Sequence, residues 1–407
     1  MSKIILYLLL LFITSGMNNI NKSESFEVVI SAGDLDRRGT IISFSLPMAL
    51  GEGEYIMKND KEEPVIVQVD RYNKAWFILD ELHAGISERY IFWTQRLDEK
   101  DHNLPEVSAH FESPTVTFQA NNKKVLSYYV DTNNPPPVLD EIYRRGGYIH
   151  PVYSPGGIML TNHLNVDHHP HHYGIWAAWT NTVFQGSEPD FWNVHRLTGR
   201  VEHSDSLEYS WQGPVHGGLR NKHHYIDLSN EKPETALNEQ WDLQVYNEEL
   251  FERYHIFDLK IVHTVNTGKP LILPEYRYGG MGFRGHSDWN DPDNFFFLTS
   301  EGEGIEGNGT RARWVHLGGY SDGELAGIAI LGHPTNFRAP QTIRIHPEEP
   351  FFNFAPTQLG DMSIEPGTPY VARYRFITYD GEPNPAELDR LWQDYAYPPG
   401  VTVKVLN

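Results

Sequence analysis

From Phe26 onward, apolar and polar positions alternate in short runs, FEVVIS, GTIISFSL, PVIVQVD, KAWFILD and RYIFWTQRL, each bounded by Gly, Pro, Asn or Asp. Short runs at such spacing predict antiparallel strands, so residues 24–108 read as a small β-sandwich. After a polar stretch, Asp98 to Pro105, the runs lengthen and gain aromatics: TVTFQA, KVLSYYV, HHYIDLS, EQWDLQVYN, AGIAILG and YVARYRFITYD. The segment Leu243–Val265 alternates long enough for an extended strand or hairpin in a large sheet. Only PAELDRLWQDY, Pro385–Tyr395, has helical spacing, with Leu388, Leu391 and Trp392 on one face and Pro385 in the first turn. No βαβ alternation occurs, which excludes a parallel sheet. Residues 109–407 are therefore expected to form a large antiparallel double-sheet domain, and the chain is mostly β.

The first residues follow a different pattern. Lys3 precedes an unbroken apolar run, Ile4–Ile13, and Thr14, Ser15 and Gly16 follow it. That order is a secretory signal, expected within residues 1–23, and the run falls well short of the roughly 20 residues that span a bilayer. No later segment is long enough to span, so the expectation is an exported protein, periplasmic or extracellular, without a membrane span.

Composition narrows the chemistry. The 407 residues carry 33 Lys plus Arg against 54 Asp plus Glu, a formal charge of −21, which argues against nucleic acid as a partner. Cys is absent, which removes disulfides, thiolate catalysis and Cys-ligated metal. The chain has 20 His, ten of them between His163 and His224, centred on DHHPHHYGIW, Asp167–Trp176. Pro170 bars a regular helix there. An extended backbone would place His169 and His171 on one side and His168 and His172 on the other.

Three uses of that block remain open. His169 and His171 could hold a divalent metal, with a distant donor completing the site, in a metal-dependent oxidoreductase. They could instead exchange protons with a sugar or donate to its hydroxyls. The block could also be a structural knot under a Trp-rich wall. Trp176, Trp179, Phe191, Trp192 and Trp211 lie in or near the window and suit either sugar stacking or core filling. Two further clusters add polar groups. PEYRYGGMGFRG supplies Glu275 and Arg277, expected to share one face of a strand, together with Arg284. RARWVHLGG and LGHPTNFRAP supply Arg313, His333, Asn336 and Arg338, the last a candidate clamp for a uronate carboxylate.

Taken in order, YIHPVYSPGG, DHHPHHYGIW, RARWVHLGG, GHPTNFRAP and PGTPYVARYRFITYDG resemble the PmoA-like family of exported bacterial proteins. The resemblance implies a mutarotase-like super-sandwich and site residues at His168, His169, His171, His172, Arg313, His333, Asn336 and Arg338. The leading expectation is a glycoside hydrolase or polysaccharide lyase acting on a plant or algal oligo- or polysaccharide. In it, His169, His171 and Glu275 are catalytic. Substrate contacts come from His168, His172, Trp176, Arg277, Arg284, Arg313, His333, Asn336 and Arg338. A glycan-binding protein without catalysis is the alternative. No cofactor beyond that conditional metal is implied, and oligomeric state is not legible.

Overall fold

The structure is a computed structural model that describes residues 25–97, 106–204, 206–247 and 253–406. The expected signal segment and the stretch Asp98–Pro105 lie outside them. Two compact units are present.

The smaller unit is one antiparallel seven-stranded sheet, in the order Arg37–Ser45, Lys74–Leu82, Pro64–Val69, Gly53–Asn59, Ser87–Trp93, Ser25–Ser31 and Gly400–Leu406. Alternate residues are buried, as in Phe26, Val28 and Ile30, because successive side chains of a strand point to opposite faces. Phe77 and Tyr90, on strands that are not neighbours in the sheet, bring their rings within 6.0 Å, so the sheet curls over its own core. The final strand amends the expected boundary, which carried the second domain to residue 407. In Gly400–Leu406, Val401 and Val403 alternate with Thr402 and Lys404, and Val28 pairs with Val403, so this strand completes the smaller sheet.

The larger unit is mostly β, built from antiparallel sheets of eight, nine and three strands. The two large sheets enclose one core: Val116, Phe118 and Leu126 come from one, Leu243, Phe257 and Phe376 from the other. Ring contacts cross the interface, such as Phe354 with Tyr374 at 5.1 Å. The alternating segment Leu243–Val265 belongs to two strands, Glu234–Tyr246 and His255–Val265, with Leu243 opposite Leu259. The expected helix forms over Pro385–Ala396. Asn384 caps it by accepting from the Glu387 backbone N–H, and Leu388, Leu391 and Trp392 are buried.

Candidate functional site

Strand periodicity decides which residues of the eight-stranded sheet face away from the core. On Ile175–Ala178, Ile175 and Ala177 enter the core, so Trp176 and Ala178 take the other face; on Gly280–Arg284, Met281 and Phe283 do the same and leave Gly282 and Arg284. Trp176 stands opposite Gly282, and Arg284 opposite Phe351. Gly282 allows a close approach here: a Cβ would stand 3.0 Å from both Trp176 and Trp192, which pack over it at a ring separation of 5.0 Å. The result is an aromatic floor of Trp176, Trp192 and Phe351, joined by Tyr148 and Tyr173.

The histidine block lies on this floor, in a geometry different from the expected one. The His172 N–H donates to the His169 carbonyl (3.0 Å), which closes a turn through Pro170, and His169 adopts a left-handed φ of 54°. An extended segment would have paired His169 with His171. The turn instead stacks His169 on His172 at 4.9 Å, with His171 5.6 Å from His169. His172 in turn stacks on both Trp176 (4.8 Å) and Phe351 (4.5 Å), whose rings lie 5.9 Å apart. His195 approaches His171 at 5.7 Å, and His346 approaches His169 at 5.9 Å. Burial holds His171 uncharged, its pKa pushed down to about 3, with the neighbouring imidazoles adding to the effect. Burial likewise holds His172 well below the ordinary imidazole range, and its Nδ1 has no hydrogen-bond partner.

The residue that organises the cluster was missed from sequence. Glu349 lies in the turn between the strands Ile343–Ile345 and Phe351–Phe354, and its Oε2 sits 3.0 Å from His169 Nδ1. The contact falls short of a well-aimed hydrogen bond; Arg284 Nη1 makes the firm ion pair with the same oxygen. Arg284 is 1 % exposed, and its Nη2 donates to Asn290 Oδ1 (2.6 Å). Burial alone would raise the Glu349 pKa, but the His169 contact and the Arg284 charge outweigh it and hold the carboxyl at about 2. His168 is the outermost member, exposed and 4.0 Å from Glu349. The available signal was the motif HPEEP, His346–Pro350, with two carboxylates, Glu348 and Glu349, between two prolines in a tight turn.

Other expected site residues stand elsewhere. Glu275 and Arg277 share no strand: they lie in the irregular segment between Leu271–Leu273 and Gly280–Arg284. Glu275 is exposed, its backbone N–H donates to Asp361 (2.7 Å), and its side chain has no ion pair with an imidazole among the described residues. Arg277 lies beside the floor, 5.2 Å from the Tyr278 ring. Arg313 pairs with Asp389 and covers Trp392 of the helix. His333 bonds Thr335 and meets Tyr395 edge-on at 5.0 Å. Asn336 exchanges two hydrogen bonds with the backbone of Arg373. Arg338 clamps the carbonyls of Pro356, Gly360 and Asp361, so the expected carboxylate clamp serves a backbone turn. Arg313 and His333 meet the helix, Asn336 and Arg338 secure backbone, and among the described residues no hydrogen bond, ion pair or ring contact joins these four to the His168–His172 block. Three of the tryptophans expected as stacking platforms are covered, Trp176 and Trp179 at 0 % exposed and Trp192 at 4 %, whereas Trp211 is half-buried.

A second histidine–glutamate group is sealed between the sheets. Glu239 accepts from His223 Nδ1 (2.5 Å), from His263 Nε2 (2.6 Å) and from the Tyr225 hydroxyl (3.0 Å). Tyr128 meets the other nitrogen of His223 at 2.6 Å, and Trp179 donates to His263 Nδ1 (3.3 Å). All of these residues are buried, and every nitrogen and carboxylate oxygen of the triad is engaged.

Among the described residues, no group of three or more His, Asp or Glu side chains is placed to hold a metal ion. Two surface concavities, of about 260 and 390 Å³, lie away from the block, lined by residues such as Ile272 and Asp361 in one and Glu324 and Asp380 in the other. No helix among the described residues is long and apolar enough to cross a membrane.

Comparison with known proteins adds little chemistry. No curated protein matches the sequence. Solved structures with partial likeness include a protein in glycosyl hydrolase family 38 from Enterococcus faecalis, at TM-score 0.40 and 8% identity, covering 96% of this chain and 48% of that one. An alpha-mannosidase from Enterococcus faecalis V583 gives TM-score 0.41 and 7% identity, covering 95% and 46%. This chain thus spans less than half the length of either. The family match names neither methane oxidation nor carbohydrate chemistry: over residues 115–393, the chain belongs to the family of unknown function DUF6807.

Proposed function

We propose that the outer face of the eight-stranded sheet is the active site of an exported carbohydrate-active enzyme, and that His169 is its proton-transfer group. One observation carries the reading. Glu349, held ionised by Arg284, stands 3.0 Å from the Nδ1 of an imidazole whose side chain is 38% exposed. That Nδ1 is itself buried, so the exposure falls on the rest of the ring. A carboxylate on one ring nitrogen fixes the tautomer and stabilises the imidazolium formed when the other nitrogen takes a proton. The imprecise contact suits a catalytic pair that tightens once substrate is bound.

Between the two carbohydrate chemistries, the arrangement favours elimination. Hydrolysis commonly needs two carboxylates flanking the scissile bond. Here Glu349 is committed to Arg284 and His169. Asp190, the other carboxylate near His171, is occupied by Thr180, Asn193, Arg196 and two backbone N–H groups. In a lyase, His169 takes the proton α to a uronate carboxyl, that C–H electron pair becomes a carbon–carbon double bond, and the glycosidic oxygen leaves and is protonated.

Product analysis on a panel of acidic and neutral polysaccharides tests this. Elimination gives an ultraviolet-absorbing unsaturated end together with each new reducing end. Reducing ends without that absorbance would mean hydrolysis, and binding without either would make the protein a glycan binder; both outcomes would overturn the lyase reading.

A further inference from the structure

Arg344, one strand beyond Phe351, and Arg277, in the segment before Gly280–Arg284, bring two guanidinium groups without a counter-charge to one ring. Arg277 and Arg344 each place their guanidinium carbon 5.2 Å from the centroid of the same ring, Tyr278. Arg344 bonds only neutral groups: Asn308 Oδ1 (3.0 Å), the Ile345 carbonyl and the Tyr278 hydroxyl (3.2 Å). No carboxylate among the described residues lies within 4 Å of either. The Nε of Arg344 is buried and donates to nothing, and the facing Asn353, 0 % exposed, has an unpartnered Oδ1. In a chain of formal charge −21, two uncompensated guanidiniums on one aromatic ring, beside an unsatisfied buried donor, present the chemistry that receives an anion.

The spot is continuous with the imidazole cluster. Tyr278 contacts Phe351 at 6.2 Å and Trp192 at 6.3 Å, and Phe351 stacks on His172 at 4.5 Å. His346, two residues after Arg344, reaches His169. We propose that Arg277 and Arg344, with Tyr278 between their contacts, form an anion subsite that takes the carboxylate or sulfate ester of an acidic sugar. A planar guanidinium suits such oxyanions because it donates two parallel hydrogen bonds. The assignment of this anion to the substrate rests on the proton-transfer reading above. Within that reading, the pair would neutralise the uronate carboxylate and make the neighbouring C–H more acidic.

Titration of the full chain at low ionic strength, followed by the aromatic NMR signals of Tyr278, tests the subsite with three probes: D-glucuronate, inorganic sulfate and D-glucose. Both anions are expected to bind and compete with each other, while glucose does not. Tighter glucuronate assigns a carboxylated sugar; tighter sulfate assigns a sulfate ester. Loss of one charged contact is expected to weaken anion binding about tenfold in Arg277→Gln, an exposed position that leaves packing intact, and at least as much in Arg344→Gln. Glucose binding as well as glucuronate, no binding of either anion, or unchanged binding in Arg277→Gln would overturn the inference. Anion binding should persist in His169→Ala. If that variant also keeps full turnover, the proton-transfer reading falls while the subsite stands.

Discussion

Glu239 and Glu349 each gather histidines, yet the two groups are built for opposite ends. Around Glu239 every polar atom of the triad has a partner and nothing reaches solvent. Around Glu349 the partners are incomplete: His169 is partly exposed, His172 Nδ1 is unpartnered, and Arg284 Nε donates to nothing. A saturated buried network fixes the packing of two sheets. An unsaturated one at a surface retains capacity for a ligand. Counting histidines could not separate the two, since His223 and His169 fall in the same rich window.

The comparison can be broken most forcefully at Glu239. Replacing it by Gln exchanges a carboxylate that accepts three buried hydrogen bonds for a neutral amide, and hydrogen bonds to a charged acceptor are worth about 1.5–3 kcal/mol each. Urea denaturation should show this as a lower midpoint, and an unchanged midpoint would mean that the core triad is not structural.

A smaller effect is expected from Gly282→Ala, which forces a methyl against Trp176 and Trp192. Overpacking of this sort costs about 1–3 kcal/mol. The loss should appear in thermal denaturation, together with altered ring signals from the aromatic floor.

Acidity sharpens the contrast further. His171 and His172 are uncharged when folded because burial lowers their pKa values, whereas in the unfolded chain they titrate near 6.5. The unfolded state therefore binds more protons as pH falls below that value. Stability should be complete above pH 6.5 and decline toward pH 3 by about 1.4 kcal/mol per pH unit for His171, with His172 acting in the same direction. Glu349 acts in the same direction lower down: its carboxyl, held at about 2, contributes stability that is lost as pH falls from 4.5 toward 2. Stability measured across this range in His171→Phe, which cannot titrate, should fall less steeply than in the parent.

The smallest effect belongs to Glu275. As an exposed side chain with no ion pair among the described residues, its change to Gln should alter stability by less than about 0.5 kcal/mol and leave turnover unchanged.

These contrasts also explain what the sequence could and could not show. The strands and the helix Pro385–Ala396 were legible because period-two burial, a proline in the first turn and an Asn cap are local signals. The final strand was hidden because its partner, Ser25–Ser31, lies at the other end of the chain. The His168–His172 block was visible as composition, but its shape depended on the turn through Pro170, and its carboxylate came from a distant hairpin. Arg338 looked like a ligand clamp because nothing local reveals that three carbonyls of the 356–361 turn would meet it.

Turnover in His169→Ala, measured as kcat/KM on an acidic glycan cleaved by the parent protein, bears most directly on the open cluster. General acid–base groups commonly contribute about 100- to 10,000-fold. A loss of at least about a hundredfold with the thermal midpoint preserved is the expected result. Parent-like turnover in a folded His169→Ala protein would contradict it and remove the Glu349–His169 pair from the chemistry.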